Sequence, residues 1–206
     1  MSQTSEAARV AIYVRTGWML HYGMKKELDG PIGGGSYNRD NVGSEHDNFR
    51  PVNGRLYGYG ETGAHLHGFN LERIAPARID RTRHAIDGVT VVILAPHRQR
   101  GQLVVGWYKD ATVYDRYRDR REDSLGMEQS WYNFEAVLED CVLVPPNERQ
   151  FVIPQGQGAV GQKNICYPLE IDGSPKDKPW MREALEYVEH YKGFNPLRSR
   201  RSTKTR

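Results

Sequence analysis

Short runs of apolar, β-branched and aromatic residues alternate along the chain with polar, glycine-rich connections. Two of these runs, 88–95 and 103–109, flank a basic link of sequence PHRQRGQ, and this pattern predicts a β-hairpin. Further strands are predicted at 9–18, 55–59, 111–114, 131–144 and 165–169. The charge density of 115–122 predicts an exposed helical turn or loop there. Within 55–59, we expect Gly58 to permit a close approach of another chain segment.

Helical periodicity is clear only near the C-terminal end. Met181, Leu185, Val188 and Tyr191 recur at helical spacing and predict an amphipathic helix over 179–192, with one face packed on the sheet. Asp177 is the expected N-cap, and Gly193 marks the C-terminal stop. The predicted fold class is therefore α+β and β-rich: a single curved sheet or open barrel with a C-terminal helix.

Length and composition predict one globular domain. The 206 residues suffice for one well-filled core, and a content of 38% hydrophobic and 27% charged residues argues against wholesale disorder. We expect a flexible N-terminus at 1–8, a binding domain at 9–193 and a basic disordered tail at 194–206. No run approaches the roughly 20 apolar residues of a membrane helix, and two cysteines are too few for a disulfide framework. A cytoplasmic protein is the simplest interpretation.

The formal net charge of +3 is unevenly distributed. From Lys192 onward the chain has six basic residues and no acidic one, so the remainder has 23 basic against 26 acidic residues. One interpretation is that the tail supplies salt-sensitive, non-specific attraction to nucleic acid. The alternative is a solubilising, disordered end.

A glycine-rich passage, GPIGGGSYN at 30–38, follows the first predicted strand. It lacks both the Lys-Ser/Thr ending of a phosphate-binding loop and the glycine spacing of a dinucleotide fingerprint. Its backbone amides could line a concave site, or the passage could be a plain flexible loop.

The sequence contains no catalytic constellation, which favours a binding protein over an enzyme and implies no cofactor. There is no G-x-S-x-G elbow, and neither cysteine has the surroundings of a reactive thiolate. Glu61, His65 and His67 form a weak candidate metal site, which keeps a small metal-dependent nuclease or hydrolase open as an alternative.

Aromatic residues are the more informative feature. Four tryptophans and twelve tyrosines occur, and many lie beside glycine or asparagine near predicted loops. Aromatic faces beside polar groups suit a flat, partly polar ligand such as a nucleobase, although such rings also fill the core of a small β protein. A protein-interaction module using the same aromatic surface is a further alternative.

An ordered set of segments resembles a poorly characterised bacterial family whose members occur alone or ahead of restriction-type nuclease domains. These segments span about 10–193, and the most specific are VGWYKDATVY (105–114) and GQGAVGQKN (156–164); the others are GWMLHY, GPIGGGSYN, NFRPVNGRLYGYGE, NLERI and VPPNERQFVIP. No H-N-H or P-D-(D/E)xK motif follows Gly193, so cleavage in a restriction or defence system would come from a partner nuclease.

The same segments are similar, more loosely, to the PUA-like superfamily of EVE, YTH and SRA domains. That resemblance implies a small curved β-barrel that holds a modified or flipped base of DNA, or of RNA, in an aromatic pocket. The predicted pocket consists of Trp18, Tyr37, Asn38, Asn48, Trp107, Tyr108 and Asp110. The predicted contacts to the nucleic-acid backbone are Arg15, Lys25, Lys26, Arg98, Arg100 and Lys109.

Overall fold

The structure is a computed structural model, and it describes residues 10–23, 44–63, 67–120, 131–154 and 163–198. These residues form a strand-rich α+β structure with one open mixed sheet of eight strands. The strands are β1 (Val10–Arg15), β2 (Arg55–Gly58), β3 (Ala85–His97), β4 (Gly101–Asp119), β5 (Trp131–Val137), β6 (Cys141–Leu143), β7 (Val152–Ile153) and β8 (Ile165–Cys166). One α-helix, α1 (Pro179–His190), and short 3-10 helices at Ser44–Asp47, Leu71–Arg73, Pro76–Arg78, Leu138–Asp140 and Pro146–Glu148 complete the described part.

The sheet is organised around the long hairpin of β3 and β4. The strand order is β2-β5-β4-β3-β1-β8, with β1 parallel to β3 and antiparallel to β8. One edge of β4 pairs with β3, while β7, β6 and β5 pair in succession with β4 along its length. The hairpin predicted from the sequence is confirmed, and both of its strands are longer than predicted.

Residues 115–119 are strand, and the prediction of an exposed helical turn or loop there is wrong. The backbone of Asp115 donates to the carbonyl of His84 at 3.2 Å and accepts a hydrogen bond from Gly68 at 2.8 Å. These bonds to neighbouring segments hold the strand despite its charge density. Asp119 is buried, and the more exposed charges of this stretch find partners nearby. Arg116, for example, contacts Asp115 at 3.2 Å.

The sheet curls, so that the segment following β2 reaches the opposite end of the sheet. A Cβ on Gly60 would lie 2.8 Å from Val14 of β1 and 3.5 Å from Ile165 of β8. The close approach predicted at Gly58 is confirmed, since a Cβ there would lie 2.0 Å from the ring of Phe134. The two glycines let the backbone touch side chains that a larger residue would displace.

Side chains alternate between two buried layers. The inner layer fills the concave side of the sheet and includes Val14 of β1 and Val91 and Ile93 of β3. The outer layer includes Val92 and Leu94, which alternate with the inner residues along β3. Helix α1 covers the outer layer through the buried side chains of Trp180, Met181, Ala184 and Val188.

The predicted C-terminal helix is confirmed, with different ends. It begins after Lys178 rather than Asp177, whose carboxylate instead pairs with Arg182, and it ends at His190. Residues 194–198, assigned to the tail by the sequence, pack on the domain: Leu197 is 1% exposed and the Asn195 side chain donates to the carbonyl of Cys141 at 2.9 Å. Within the described ranges, no helix has the length and apolar character needed to span a membrane.

Candidate nucleic-acid interface

Residues 16–23, which follow β1, present Trp18 at the surface and are fixed from below by Arg149. The Arg149 side chain is fully buried and donates to the carbonyls of Met19 at 2.6 Å, Leu20 at 2.8 Å and Val144 at 2.9 Å. Its guanidinium also lies over the indole of Trp18, 4.8 Å from the ring centroid. All three nitrogens of the guanidinium therefore serve to hold this loop, and its charge faces an aromatic ring.

Tyr22 fixes the other end of the same loop in a strained conformation. Its φ of 47° lies in the left-handed region, which is unusual for a bulky residue. The fully buried side chain donates from its hydroxyl to the carbonyl of Gly17 at 2.8 Å, and burial raises its pKa to about 12. Strain that the surrounding structure maintains is often found where a side chain must be held for binding.

Trp18 contacts the basic turn between β3 and β4. Its half-buried indole meets the ring of His97 edge to face, with the centroids 4.9 Å apart. The exposed residues Arg98 and Arg100 follow His97 in this turn, and no carboxylate of the described residues forms an ion pair with either. The structure thus brings together three residues predicted from the sequence: Trp18, Arg98 and Arg100.

A half-buried carboxyl group lies on the other side of the Trp18 loop. One carboxylate oxygen of Glu45, in the 3-10 helix Ser44–Asp47, accepts the backbone N–H of Gly17 at 2.9 Å. Burial raises the pKa of Glu45 to about 7, the hydrogen bond from Gly17 opposes this shift, and the nearby charge of Glu61 adds to it. Glu45 can therefore act as a hydrogen-bond acceptor or donor near neutral pH.

Two buried asparagines hold the backbone of Tyr59 and Gly60, the two residues that follow β2. The side chain of Asn48 accepts from the N–H of Tyr59 at 2.8 Å and donates to its carbonyl at 3.0 Å. Asn133 holds the N–H and the carbonyl of Gly60 in the same way, each at 2.9 Å. The two side chains replace the strand partner that this segment lacks among the described residues, which satisfies the backbone groups of both residues.

The segment held by these asparagines carries a second aromatic pair. The rings of Tyr59 and Tyr117 stack with centroids 5.2 Å apart and an interplanar angle of 21°. The hydroxyl of Tyr59 donates to Glu61 at 2.5 Å; burial raises the pKa of this tyrosine, and the hydrogen bond raises it further.

The structure does not assemble the predicted pocket around Trp107 and Tyr108. These neighbouring residues of β4 point to opposite faces of the sheet, so they cannot line one cavity. Trp107 is 1% exposed and packs in the outer layer against Tyr187 of α1 and Tyr191, which follows the helix. Tyr108 is fully buried in the inner layer, where its ring meets Phe134. Alternation along a strand separates residues that are adjacent in sequence.

Some of the other predicted residues make structural contacts, and others lie at or near the surface. Asn48 is fully buried and its side chain binds the backbone of Tyr59, so it is unavailable for a base edge. Lys109 is paired with Glu189 of α1 at 3.1 Å. Asp110 is exposed with a φ of 48°, at an irregularity where β4 departs from regular pairing with β3. Arg15 is half-buried at the end of β1, close enough to influence Glu45. Tyr37, Asn38, Lys25 and Lys26 lie outside the described residues.

The candidate metal ligands are only partly described. His65 lies outside the described residues, while the two oxygens of Glu61 accept hydrogen bonds from the hydroxyl of Tyr59 and the N–H of Gly63. His67 forms an isolated β-bridge with Arg116 through its backbone. Among the residues described, no group of three or more His, Cys, Asp or Glu side chains is arranged to hold a metal ion.

Sequence reasoning missed the residues that organise this surface. Arg149 lies in a stretch, PPNERQ, that the pattern indicates only as a strand stop, and nothing local indicates that it reaches Trp18 some 130 positions earlier in the chain, where it binds Met19. Glu45 lies within a long polar passage without periodicity. The sequence indicates such a residue only indirectly. A buried arginine needs several hydrogen-bond acceptors, and the carbonyls of loops at strand ends provide them.

The fold and this surface define a strand-rich α+β protein with an aromatic and basic surface next to a half-buried carboxyl group. Comparisons of the chain with models of protein families, with curated proteins and with solved structures find no match.

Proposed function

We propose that this protein binds nucleic acid, most plausibly DNA, and holds a modified or flipped base against Trp18 while Arg98 and Arg100 contact the phosphates. The observation that carries the proposal is the position of Trp18: a half-buried indole, fixed by a fully buried arginine, beside two exposed arginines that have no ion-pair partner among the described residues. Recognition of an unstacked nucleotide requires an aromatic ring on which the base stacks and a nearby cation that contacts the phosphate.

Preorganisation is the physical advantage of this arrangement. Arg149 and Tyr22 fix the Trp18 loop through buried hydrogen bonds, so little side-chain entropy remains to be lost when a base stacks on the ring. A stacked base contributes about 1–3 kcal/mol, which offsets the few kcal/mol needed to take a base out of a duplex. A modified or mismatched base reduces that cost and is selected for this reason.

The resemblance to PUA-like domains supports the same proposal. In this proposal the curled sheet is a PUA-like barrel, the chain serves a restriction or defence system, and a separate nuclease supplies any cleavage. RNA offers the same stacking surfaces and phosphates, so an RNA ligand is an outcome that the binding experiment distinguishes.

The test measures binding of short fluorescein-labelled oligonucleotides by anisotropy at several salt concentrations. The probes are a DNA duplex with a central guanine–cytosine pair, the same duplex with 8-oxoguanine or 5-methylcytosine in that pair, the single strand, and the RNA counterpart. We expect a modified duplex to bind more tightly than the unmodified one, and Trp18→Ala to weaken binding about 5- to 150-fold. Phe194→Ala is the matched control, because Phe194 is an aromatic residue that is 57% exposed and follows α1.

The double variant Arg98→Ala/Arg100→Ala tests the phosphate contacts. Each phosphate contact that is lost reduces the slope of log affinity against log salt by about 0.9 for duplex DNA, so the expected reduction is about 1.8. Arg81→Ala/Arg83→Ala is the control, since these exposed arginines already pair with Glu72 and Asp87. Equal binding of modified and unmodified duplexes, or no binding of any probe, would overturn the proposal.

A further inference from the structure

The Glu45 carboxyl group is a side-chain acceptor that contacts the loop carrying the proposed stacking residue Trp18. It holds the N–H of Gly17, the residue immediately before Trp18, at 2.9 Å. Gly17 and Trp18 are consecutive residues, and consecutive Cα atoms are about 3.8 Å apart. The distance from the Glu45 carboxyl to the Cα of Trp18 is therefore comparable with the length of one nucleobase. The hydrogen bond to Gly17 engages one of its two oxygens.

The charged and titratable groups around Glu45 leave it without a counterion. The charge of Arg15 in β1 lowers the pKa of Glu45, and the charge of Glu61 in the 59–63 segment raises it. The buried hydroxyl of Tyr22 also lies close to Glu45. On its own 3-10 helix, His46 contacts Asp47 at 3.4 Å. No cation among the described residues forms an ion pair with Glu45. A half-buried carboxylate without a counterion is costly unless donors of a ligand complete its hydrogen bonding.

Glu61 differs from Glu45 because both of its oxygens are occupied. The hydroxyl of Tyr59 donates to one oxygen at 2.5 Å and the N–H of Gly63 donates to the other at 2.8 Å. A carboxylate has about four acceptor sites, and Gly17 uses one of those of Glu45, so of these two neighbouring glutamates Glu45 has more room, enough for two further donors.

We infer that Glu45 is a specificity-determining residue that accepts hydrogen bonds from the edge of the base held at Trp18 and so selects guanine. This inference rests on the proposed function. A carboxylate beside a phosphate-binding surface repels phosphates, whereas base edges offer N–H donors. Guanine is the base whose pairing edge has two adjacent donors, N1–H and the N2 amino group, which suit an ionised carboxylate. Adenine, cytosine and thymine offer one donor beside an acceptor on that edge, which suits a protonated carboxyl or an amide.

This chemistry makes the preference depend on pH. Because the pKa of Glu45 is raised to about 7, the carboxylate form and its preference for guanine are expected on the alkaline side of neutrality. At acid pH the carboxyl group becomes a donor and an acceptor, and the preference for guanine is lost. Glu45→Gln mimics the protonated form at every pH, since an amide also offers one donor and one acceptor.

The experiment uses single-stranded oligothymidine probes that carry one central guanine, adenine or cytosine, so that no base has to be flipped. Affinities are measured at about pH 5.5 and about pH 8.5, and the guanine-to-adenine and guanine-to-cytosine affinity ratios are compared. Ratios cancel any change of phosphate binding with pH, because such a change affects all probes alike. A base-specific bidentate pair discriminates by about 5- to 150-fold, so we expect a guanine preference in this range at the higher pH for the wild type.

The variants separate this inference from the proposed function. In Glu45→Gln the guanine preference should be lost at both pH values, while Glu183→Gln, an exposed substitution on α1, should retain it. If Trp18→Ala weakens binding of all probes but the ratios do not respond to pH or to Glu45→Gln, the inference about Glu45 is wrong and the proposed function stands. If no probe binds the wild type, the proposed function itself is wrong.

Discussion

The guanidinium of Arg149 lies 4.8 Å from the centroid of the Trp18 indole, and it is completely buried. Because the same side chain donates to the carbonyls of Met19 and Leu20, one residue fixes both the backbone of the loop and the ring that the loop presents. Stability and the proposed binding surface are therefore coupled at Arg149.

Replacing Arg149 with lysine should destabilise the protein. An ammonium group lacks the planar fork that reaches three carbonyls, so at least one buried acceptor loses its donor. We expect the free energy of unfolding to fall by about 1–3 kcal/mol for each carbonyl left unpaired, measured by urea denaturation. Arg182→Lys on the exposed face of α1 is the control and should change stability by less than about 0.5 kcal/mol. An equally small effect at Arg149 would contradict the structural role assigned to it.

Removing the side chain of Asn133 should open the segment after β2. Asn133→Ala leaves the N–H of buried Gly60 without its partner, at a cost of about 1–3 kcal/mol, while the carbonyl loses one donor and keeps the Tyr117 hydroxyl at 3.3 Å. Hydrogen exchange should show lower protection of the Gly60 amide, with little change in the β3–β4 hairpin. Asn147→Ala, an exposed substitution in a 3-10 helix, should leave exchange unchanged. Unaltered protection of Gly60 in Asn133→Ala would show that the clamp does not hold this segment.

Gly58→Ala tests how closely β2 approaches β5. The added methyl group would lie 2.0 Å from a ring carbon of Phe134, so either the ring or the strand must move. Overpacking of this kind typically costs about 1–3 kcal/mol. The double variant Gly58→Ala/Phe134→Leu should recover part of the loss relative to the two single variants, as measured in a double-mutant cycle. Strict additivity of the two changes would mean that the two positions are not in contact.

The raised pKa of Glu45 predicts how stability depends on pH. The folded-state pKa is about 7 against an ordinary value of 4.5, so the folded protein binds this proton more tightly than the unfolded chain does. Stability from this group is therefore fully present below the ordinary value and is lost as pH rises through about 7. The expected loss is about 3 kcal/mol, and urea denaturation between acid and alkaline pH measures it. Glu45→Gln should remove this component, making the variant more stable than the wild type on the alkaline side. A pH profile that is the same for both proteins would contradict the prediction.

The sequence predicted the elements that depend on local pattern. The hairpin of β3 and β4 follows from two apolar runs and a glycine-containing turn, and α1 follows from the spacing of Met181 and Val188. The prediction for 115–119 is wrong because charge density does not exclude a strand: these residues pair through their backbones with Gly68, His84 and β5. Pairing of this kind joins distant segments and leaves no periodic signal in the sequence.

The candidate site was only partly predictable for a related reason. Trp18, Arg98 and Arg100 were identified by residue type, and the structure places Trp18 against His97, at the start of the turn that carries the two arginines. Trp107 and Tyr108 have the same residue chemistry, but their neighbouring positions on β4 put them on opposite faces and in two different buried layers. Residue type alone does not distinguish a ring that fills a core from one that meets a ligand.

The place of β1 in the sheet has a consequence for synthesis on the ribosome. This strand lies between β3 and β8, and its residue Tyr13 pairs with Cys166. Its first partner, β3, is translated many residues after it, and its second partner, β8, later still. The nascent protein therefore carries an unpaired apolar strand for much of translation, a period in which association with chaperones protects such edges from aggregation.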